Sequence, residues 1–157
     1  MFSKPTTVAL FAAATAFVRV QAETHTVSFV NDCGYGTPYL WGPNGVFYYS
    51  GEGTYTFDSE APGLIAYLQT GNCGNDGEYC TLVEASLING ASSADISLVP
   101  PHEFSVTSGF GFYGGCDGAG ADCTSADCPE AFVSADQTYK QVGCSAENVN
   151  LAITFCD

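Results

Sequence analysis

Basic residues are almost missing from this sequence of 157 residues, which has only Lys4, Arg19 and Lys140 against 17 aspartates and glutamates. Because binding to a phosphate backbone requires lysine and arginine to displace counterions, a nucleic acid is excluded as a partner, and so is an anionic membrane. The partners that remain are neutral polysaccharides, cationic partners such as basic proteins, and metal ions. An acidic coat that only keeps the protein soluble is the structural alternative.

Long apolar runs are missing too, since none reaches the length of about 20 residues that a membrane span needs. The longest, from Val8 to Val18, follows Lys4 and is succeeded by Val20-Gln21-Ala22. A basic residue, a short apolar run and closing small residues are the features of a secretory signal peptide. We therefore expect residues 1–22 to be a signal peptide and residues 23–157 to be a secreted, monomeric single domain.

Apolar residues also rarely recur at helical spacing. They occur instead in short or alternating runs separated by Gly, Asn, Asp and Pro, which predicts an all-β fold. The predicted strands are Val27 to Cys33, Tyr39 to Trp41, Val46 to Tyr49, Thr54 to Phe57, Leu64 to Gln69, Leu82 to Ile88, Asp95 to Val99, Phe104 to Thr107 and Asn150 to Cys156. The acidic, glycine-rich segment from Ser108 to Pro129 is expected to be ordered mainly by cross-links. A short helix is predicted from Pro129 to Val133.

Cysteine, in contrast, is abundant. The eight cysteines are at positions 33, 73, 80, 116, 123, 128, 144 and 156. An even number of cysteines in an exported chain is typical of disulfides, here four, although the number alone allows 105 pairings. Zinc binding by these cysteines is disfavoured, because paired Cys-x-x-Cys units are missing and the sequence has only two histidines.

Several segments occur in the order that is found in a known family. They are Val27 to Cys33, Thr70-Gly71-Asn72-Cys73 before Cys80, Leu82-Val83-Glu84, Asp95-Ile96-Ser97-Leu98-Val99, Gly114-Gly115-Cys116 followed by Cys123 and Cys128-Pro129, and Ile153-Thr154-Phe155-Cys156. On these segments the chain resembles the thaumatin-like proteins, specifically a small, single-domain type. The resemblance implies an antiparallel β-sandwich with disulfide-stapled loops. It also implies the pairs Cys33–Cys156, Cys73–Cys80, Cys116–Cys144 and Cys123–Cys128.

The resemblance also implies where a site would lie. Larger thaumatin-like proteins have an acidic cleft, formed by one Arg, one Glu and several Asp beside a loop domain and associated with binding or weak cleavage of β-1,3-glucan. Glu84 and Asp95 occupy the positions of the glutamate and the first aspartate. The next aspartate is replaced by Pro100-Pro101, no arginine follows Arg19, and the loop domain is largely missing. We therefore expect no groove beside the two carboxylates.

Two carboxyl groups are also what glycoside hydrolysis needs, at about 5 Å in retaining enzymes and about 6.5 to 9.5 Å in inverting ones. Glu84 and Asp95 on neighbouring strands are thus candidate catalytic residues. Two solvated acids of a strand pair are the structural alternative. The sequence leaves open whether the protein is an enzyme.

Aromatic residues near glycine-rich turns suit the faces of sugars. We take Trp41, Phe112 and Tyr113 as candidate carbohydrate-binding residues, although most aromatic residues must fill the core.

No cofactor is expected, apart from adventitious copper at the mature N-terminus. If cleavage follows Ala22, then Glu23, Thr24 and His25 offer a free amine, two amides and an imidazole as a square-planar set for Cu(II) or Ni(II). Cleavage after Thr24 would instead let His25 join His102 in a two-histidine copper brace.

Together these features predict a secreted protein that binds cell-wall β-glucan or another extracellular polymer in defence or host–microbe interaction. The alternatives are a weak endo-β-1,3-glucanase that uses Glu84 and Asp95, and an acidic inhibitor or effector that binds a basic protein.

Overall fold

The computed structural model describes residues 22–157, so nearly all of the predicted signal peptide lies outside the described residues. Strand-forming segments with β-branched and aromatic residues dominate the described chain. The strands are β1 (His25–Asn31), β2 (Thr37–Gly42), β3 (Val46–Ser50), β4 (Gly53–Phe57), β5 (Ala61–Gln69), β6 (Leu82–Leu87), β7 (Ser92–Ser97), β8 (Ser108–Tyr113), β9 (Gly120–Cys123), β10 (Val142–Cys144) and β11 (Asn150–Phe155). Two 3-10 turns, Pro43–Gly45 and Thr138–Lys140, complete the regular structure of this part of the chain. From residue 22 onward, no helix has the length and apolar character needed to cross a membrane.

The strands form two sheets, one of five strands in the order β4-β1-β11-β8-β9 and one of six in the order β10-β7-β6-β5-β2-β3. This architecture confirms the predicted all-β sandwich. Neighbouring strands are antiparallel except β1 and β11, which are parallel, with Phe29 opposite Ile153. Because parallel strands end at the same edge, Cys33 and Cys156 meet just beyond the ends of this pair.

The core lies between the two sheets and follows the alternation of side chains along each strand. Val83, Ala85 and Leu87 of β6 point into the core from the six-stranded sheet, and Phe110 and Phe112 of β8 belong to the same core. The residues between those of β6, including Glu84, therefore lie on the outer face of the six-stranded sheet. This outer face contains the candidate site.

Four disulfides join the loops to the sheets: Cys33–Cys156, Cys73–Cys80, Cys116–Cys144 and Cys123–Cys128. These are the pairs that the resemblance implies. The described chain contains no free cysteine.

The predicted boundaries are wrong between the end of β7 and the start of β10. The strand predicted at 104–107 begins only at Ser108, inside the segment expected to be ordered by cross-links. The alternation of Phe110 and Phe112 with glycines is itself a strand pattern, and both rings are buried. Gly120 of β9 permits close pairing, because a Cβ there would collide with the carbonyl of Phe110. The helix predicted at 129–133 is also wrong, since Phe132 forms a bridge to Ser97 of β7.

Candidate functional site

Glu84 and Asp95 are direct cross-strand partners on β6 and β7. Directly opposite residues of an antiparallel pair have their Cβ atoms about 4.5–5.5 Å apart and share one face of the sheet. The turn at Asn89-Gly90 sets this register locally, with the amide of Ala91 donating to the carbonyl of Ile88 at 2.9 Å. The structure thus brings together the two carboxylates that the sequence singled out.

Asp95 is the unusual member of the pair because its side chain is buried, with the residue only 4% exposed. Its Oδ2 accepts a hydrogen bond of 3.0 Å from Nε2 of Gln141, whereas its Oδ1 has no partner. Burial raises the pKa of Asp95 to about 6, with a further increase from the charge and carboxyl group of Glu84 and a partly offsetting decrease from the Gln141 hydrogen bond. Close to neutral pH, this carboxyl can therefore hold or release a proton.

A groove of about 490 Å³ lies over the two carboxylates. Its lining includes Ile65, Glu84 and Asp95, together with Pro100 and His102 from the segment after β7. The groove lies within the volume range of about 300–1,000 Å³ that is typical of ligand sites. The expectation that no groove would exist was therefore wrong.

The wall of this groove comes from residues 131–141 and not from a separate loop domain. The amide of Leu98 donates to the carbonyl of Phe132 at 2.7 Å, and the amide of Phe132 donates to the carbonyl of Ile96 at 2.8 Å. Within this segment, Nζ of Lys140 donates a hydrogen bond of 2.6 Å to the carbonyl of Ala131 and so links the two ends of the segment. This segment places Gln141 beside Asp95 and thereby keeps that carboxylate away from water.

An aromatic cluster lies on the same outer face, next to the carboxylates. Trp41 of β2 is opposite Ile65 of β5, which is in turn opposite Glu84. Two strand spacings of about 4.8 Å therefore separate Trp41 from Glu84. The Trp41 ring lies 4.7 Å from that of Phe47 and 6.4 Å from that of Tyr39, measured between ring centroids.

Sequence reasoning missed Tyr39, Phe47 and Gln141 as parts of this surface. The alternation of Tyr39 with Trp41 was the available signal, because residues two apart in a strand share a face. No local pattern indicated Gln141, since it reaches Asp95 from 46 residues away.

The three predicted sugar-binding aromatics do not form one patch. Phe112 is only 3% exposed and belongs to the core, so the prediction for Phe112 is wrong. Its Phe-Gly alternation places the ring on the inner face of β8. Tyr113 is half-buried and, as the next residue of β8, lies on the outer face of the five-stranded sheet. Trp41 is thus the one of the three that lies beside the acidic pair.

His25 is fully buried, and both of its ring nitrogens are hydrogen-bonded. Nδ1 contacts the carbonyl of Val149 at 2.6 Å, and Nε2 contacts Oε1 of Glu23 at 2.9 Å. The amide of Thr24 donates to Oδ1 of Asn148 at 2.9 Å. These contacts occupy groups that a square-planar copper site would need, so the predicted donor set does not fit this conformation.

His102 lies far along the chain from His25 and makes its own contact, between Nδ1 and the carbonyl of Gly77 at 2.9 Å. Among residues 22–157, no group of three or more histidine, cysteine or acidic side chains is arranged to hold a metal ion.

Comparison with solved structures shows that this fold is similar to those of several proteins, among them a xylanase inhibitor and a protein elicitor. The thaumatin-like xylanase inhibitor TLXI matches with a TM-score of 0.55 and 18% identity, over 85% of this chain and 99% of its own. The protein elicitor MoHrip2 from Magnaporthe oryzae matches with a TM-score of 0.50 and 15% identity, over 87% of this chain and 100% of its own. No protein-family model matches the sequence, and no curated protein matches it either. The likeness extends over almost the whole described chain, and with the two sheets and four disulfides it establishes that this protein has the thaumatin-like fold.

Proposed function

We propose that the chain is a secreted, disulfide-bonded protein that binds a neutral extracellular polysaccharide, such as cell-wall β-glucan, on the outer face of its six-stranded sheet. The proposal depends on one observation: the aromatic cluster around Trp41 and the groove over Glu84 and Asp95 lie side by side on that face.

The chemistry of this face suits a neutral sugar polymer. Aromatic rings offer flat apolar surfaces to the carbon faces of pyranose rings. Ser86, Ser93 and Gln141 line the groove and offer hydroxyl and amide groups to sugar hydroxyls. Anionic polymers are disfavoured, because Lys140 is the one basic residue after Arg19.

The fold likeness supports a role outside the cell. The two structural neighbours are described as a xylanase inhibitor and as a protein elicitor, and both descriptions are compatible with defence or host–microbe interaction. The four disulfides agree with an oxidising, extracellular compartment.

Retention on insoluble β-1,3-glucan tests the proposal. We expect the purified protein to sediment with the polymer and Trp41→Ala to reduce retention. Tyr113→Ala is the matched control, because it removes a half-buried aromatic ring from the outer face of the other sheet. If the wild-type protein is not retained, or if Tyr113→Ala and not Trp41→Ala lowers retention, the proposed site is wrong.

Weak hydrolysis of the same polymer is a second candidate, favoured by the properties of Asp95. A buried acid with a pKa of about 6 opposite a second carboxylate is the combination that a general acid and its partner require. Asp95 would donate the proton to the leaving oxygen, and Glu84 would be the nucleophile or base. Release of reducing sugar that persists in the double variant Glu84→Gln and Asp95→Asn would eliminate this candidate.

Inhibition of a basic protein is a third candidate. It is favoured by the 17 acidic residues, against three basic ones, and by the description of one structural neighbour as a xylanase inhibitor. Binding of this kind would weaken steeply as salt shortens the Debye length below about 8 Å. Affinity for a basic partner that is unchanged between low and high salt would count against it.

A further inference from the structure

Two more surface hollows adjoin the groove in succession, as their shared lining residues show. The second hollow, of about 430 Å³, shares Pro100 and His102 with the groove. The third, of about 590 Å³, shares Tyr79, Glu103 and Phe104 with the second. Because each hollow shares lining residues with the next, the three adjoin one another from the acidic pair to the Cys73–Cys80 loop.

Two exposed tyrosines lie along this course. Tyr79 lines both the second and the third hollow and is 60% exposed, and Tyr35 lines the third and is 57% exposed. Large aromatic side chains at such exposure contribute little to stability through packing. An exposed ring that lines a hollow can instead stack on a sugar ring bound there.

The backbone of Tyr79 adds a second, independent observation. Its φ is 64°, in the left-handed region that bulky residues rarely adopt and that glycine adopts readily. The surroundings hold it there: its amide donates to the carbonyl of Pro101 at 2.9 Å, and Tyr67 anchors the same loop by donating to the carbonyl of Asn75 at 3.1 Å. Neither local conformation nor burial therefore favours a tyrosine at this position, whereas a ligand contact would.

The lining of the third hollow identifies the chemical class of ligand. Beside the two tyrosines it presents the neutral polar side chains of Thr70, Asn72 and Ser105, and Glu103 is its one charged lining residue. Phosphate, sulfate and uronate groups would find no cationic partner there. Flat rings with neutral hydrogen-bonding groups between them suit unsubstituted sugar units.

We propose that the three hollows form one extended path for several consecutive sugar units of a neutral glucan, with Tyr79 and Tyr35 as stacking residues distant from Glu84 and Asp95. This inference rests on the proposed polysaccharide-binding function and extends the binding surface beyond the groove over Glu84 and Asp95. It predicts that affinity depends on the number of sugar units.

Calorimetric titration with linear β-1,3-linked glucose oligomers of increasing length tests the path. For the wild-type protein, affinity should rise with each added unit and then level off once the path is filled. Tyr79→Gly should weaken binding of the long oligomers by about tenfold, the change expected from one lost stacking contact, and leave binding of the shortest ones nearly unchanged. Because glycine is the residue best suited to this backbone, a loss of affinity with no loss of thermal stability separates ligand contact from misfolding.

Tyr139→Ala is the matched control, since Tyr139 is 78% exposed and lines none of these three hollows. Affinity that is independent of length, or Tyr79→Gly and Tyr35→Ala variants that bind long oligomers like the wild type, would overturn the extended path alone. In that outcome Trp41→Ala would still weaken binding. Failure of the wild-type protein to bind any oligomer or the insoluble polymer would overturn both the path and the proposed function.

Discussion

Glu84 lies directly opposite Asp95 across β6 and β7, yet only Asp95 is buried. Both side chains are on the outer face of the sheet, so the strand pattern alone would leave both in water. The difference arises because the segment 131–141 packs beside Asp95 and buries it, and Gln141 of this segment donates to its Oδ2 at 3.0 Å. The burial raises the pKa, and the hydrogen bond only partly offsets that increase. One carboxylate of the pair therefore has a pKa near 6, with Glu84 beside it.

Asp95→Asn should change how stability depends on pH. The pKa of Asp95 is raised in the folded state above its unfolded value of about 3.9, so its contribution is fully present below about pH 4 and is lost as the pH rises through about 6. Relative to the variant, the wild-type protein should lose about 1–3 kcal/mol of unfolding free energy between pH 4 and pH 7. Urea titrations at several pH values measure this difference, with Asp58→Asn at an exposed site as the control for one lost charge. Parallel pH profiles for wild type and Asp95→Asn would contradict the burial of this carboxylate.

Phe112→Ala should lower the free energy of unfolding, because Phe112 is a core residue and not part of a sugar-binding surface. Removing a phenyl ring from a packed core costs about 3–5 kcal/mol. Trp41→Ala should cost less, because Trp41 is only half-buried on the outer face. Chemical denaturation measures the loss of unfolding free energy for each variant. A larger loss for Trp41→Ala than for Phe112→Ala would contradict the placement of Phe112 in the core.

The Cys33–Cys156 disulfide should stabilise the protein more than the Cys73–Cys80 disulfide. The first closes a loop with a sequence separation of 123 and the second one of 7. In the chain-entropy model these loops correspond to about 5 and about 2.5 kcal/mol. The double variants Cys33→Ser/Cys156→Ser and Cys73→Ser/Cys80→Ser can be compared by thermal unfolding. Equal losses of stability would mean that loop length does not determine the effect.

Tyr79→Gly should leave the thermal midpoint unchanged or raise it. A left-handed conformation costs a non-glycine residue roughly 1–2 kcal/mol in the folded state, and glycine avoids this cost. Glycine also gives the unfolded chain more conformational freedom, which lowers the stability of the folded state by about 0.5–1 kcal/mol and so offsets part of the gain. Tyr139→Gly, at another exposed tyrosine without positive φ, should lower the midpoint slightly. A clear drop for Tyr79→Gly would mean that the ring makes stabilising contacts.

Much of the fold was predictable because its signals are local. Alternating apolar residues and the turn at Asn89-Gly90 indicate β6 and β7, and the resemblance on short cysteine-containing segments implied both the sandwich and the four pairings. The adjacency of Glu84 and Asp95 follows from the same hairpin. The strand at Ser108–Tyr113 was missed although its pattern was present, since its glycines favoured an irregular loop.

The sequence by itself determined the all-β character, the excess of acidic over basic residues, and the placement of Glu84 and Asp95 on neighbouring strands, because these depend on composition and on neighbours within one hairpin. Only the tertiary structure decided that Asp95 is buried, that Phe112 is in the core while Trp41 lies beside the groove, and that Tyr79 stands between two hollows. Each of these depends on which distant segment packs against the residue, and residues far apart in sequence leave no local pattern that reports their contact.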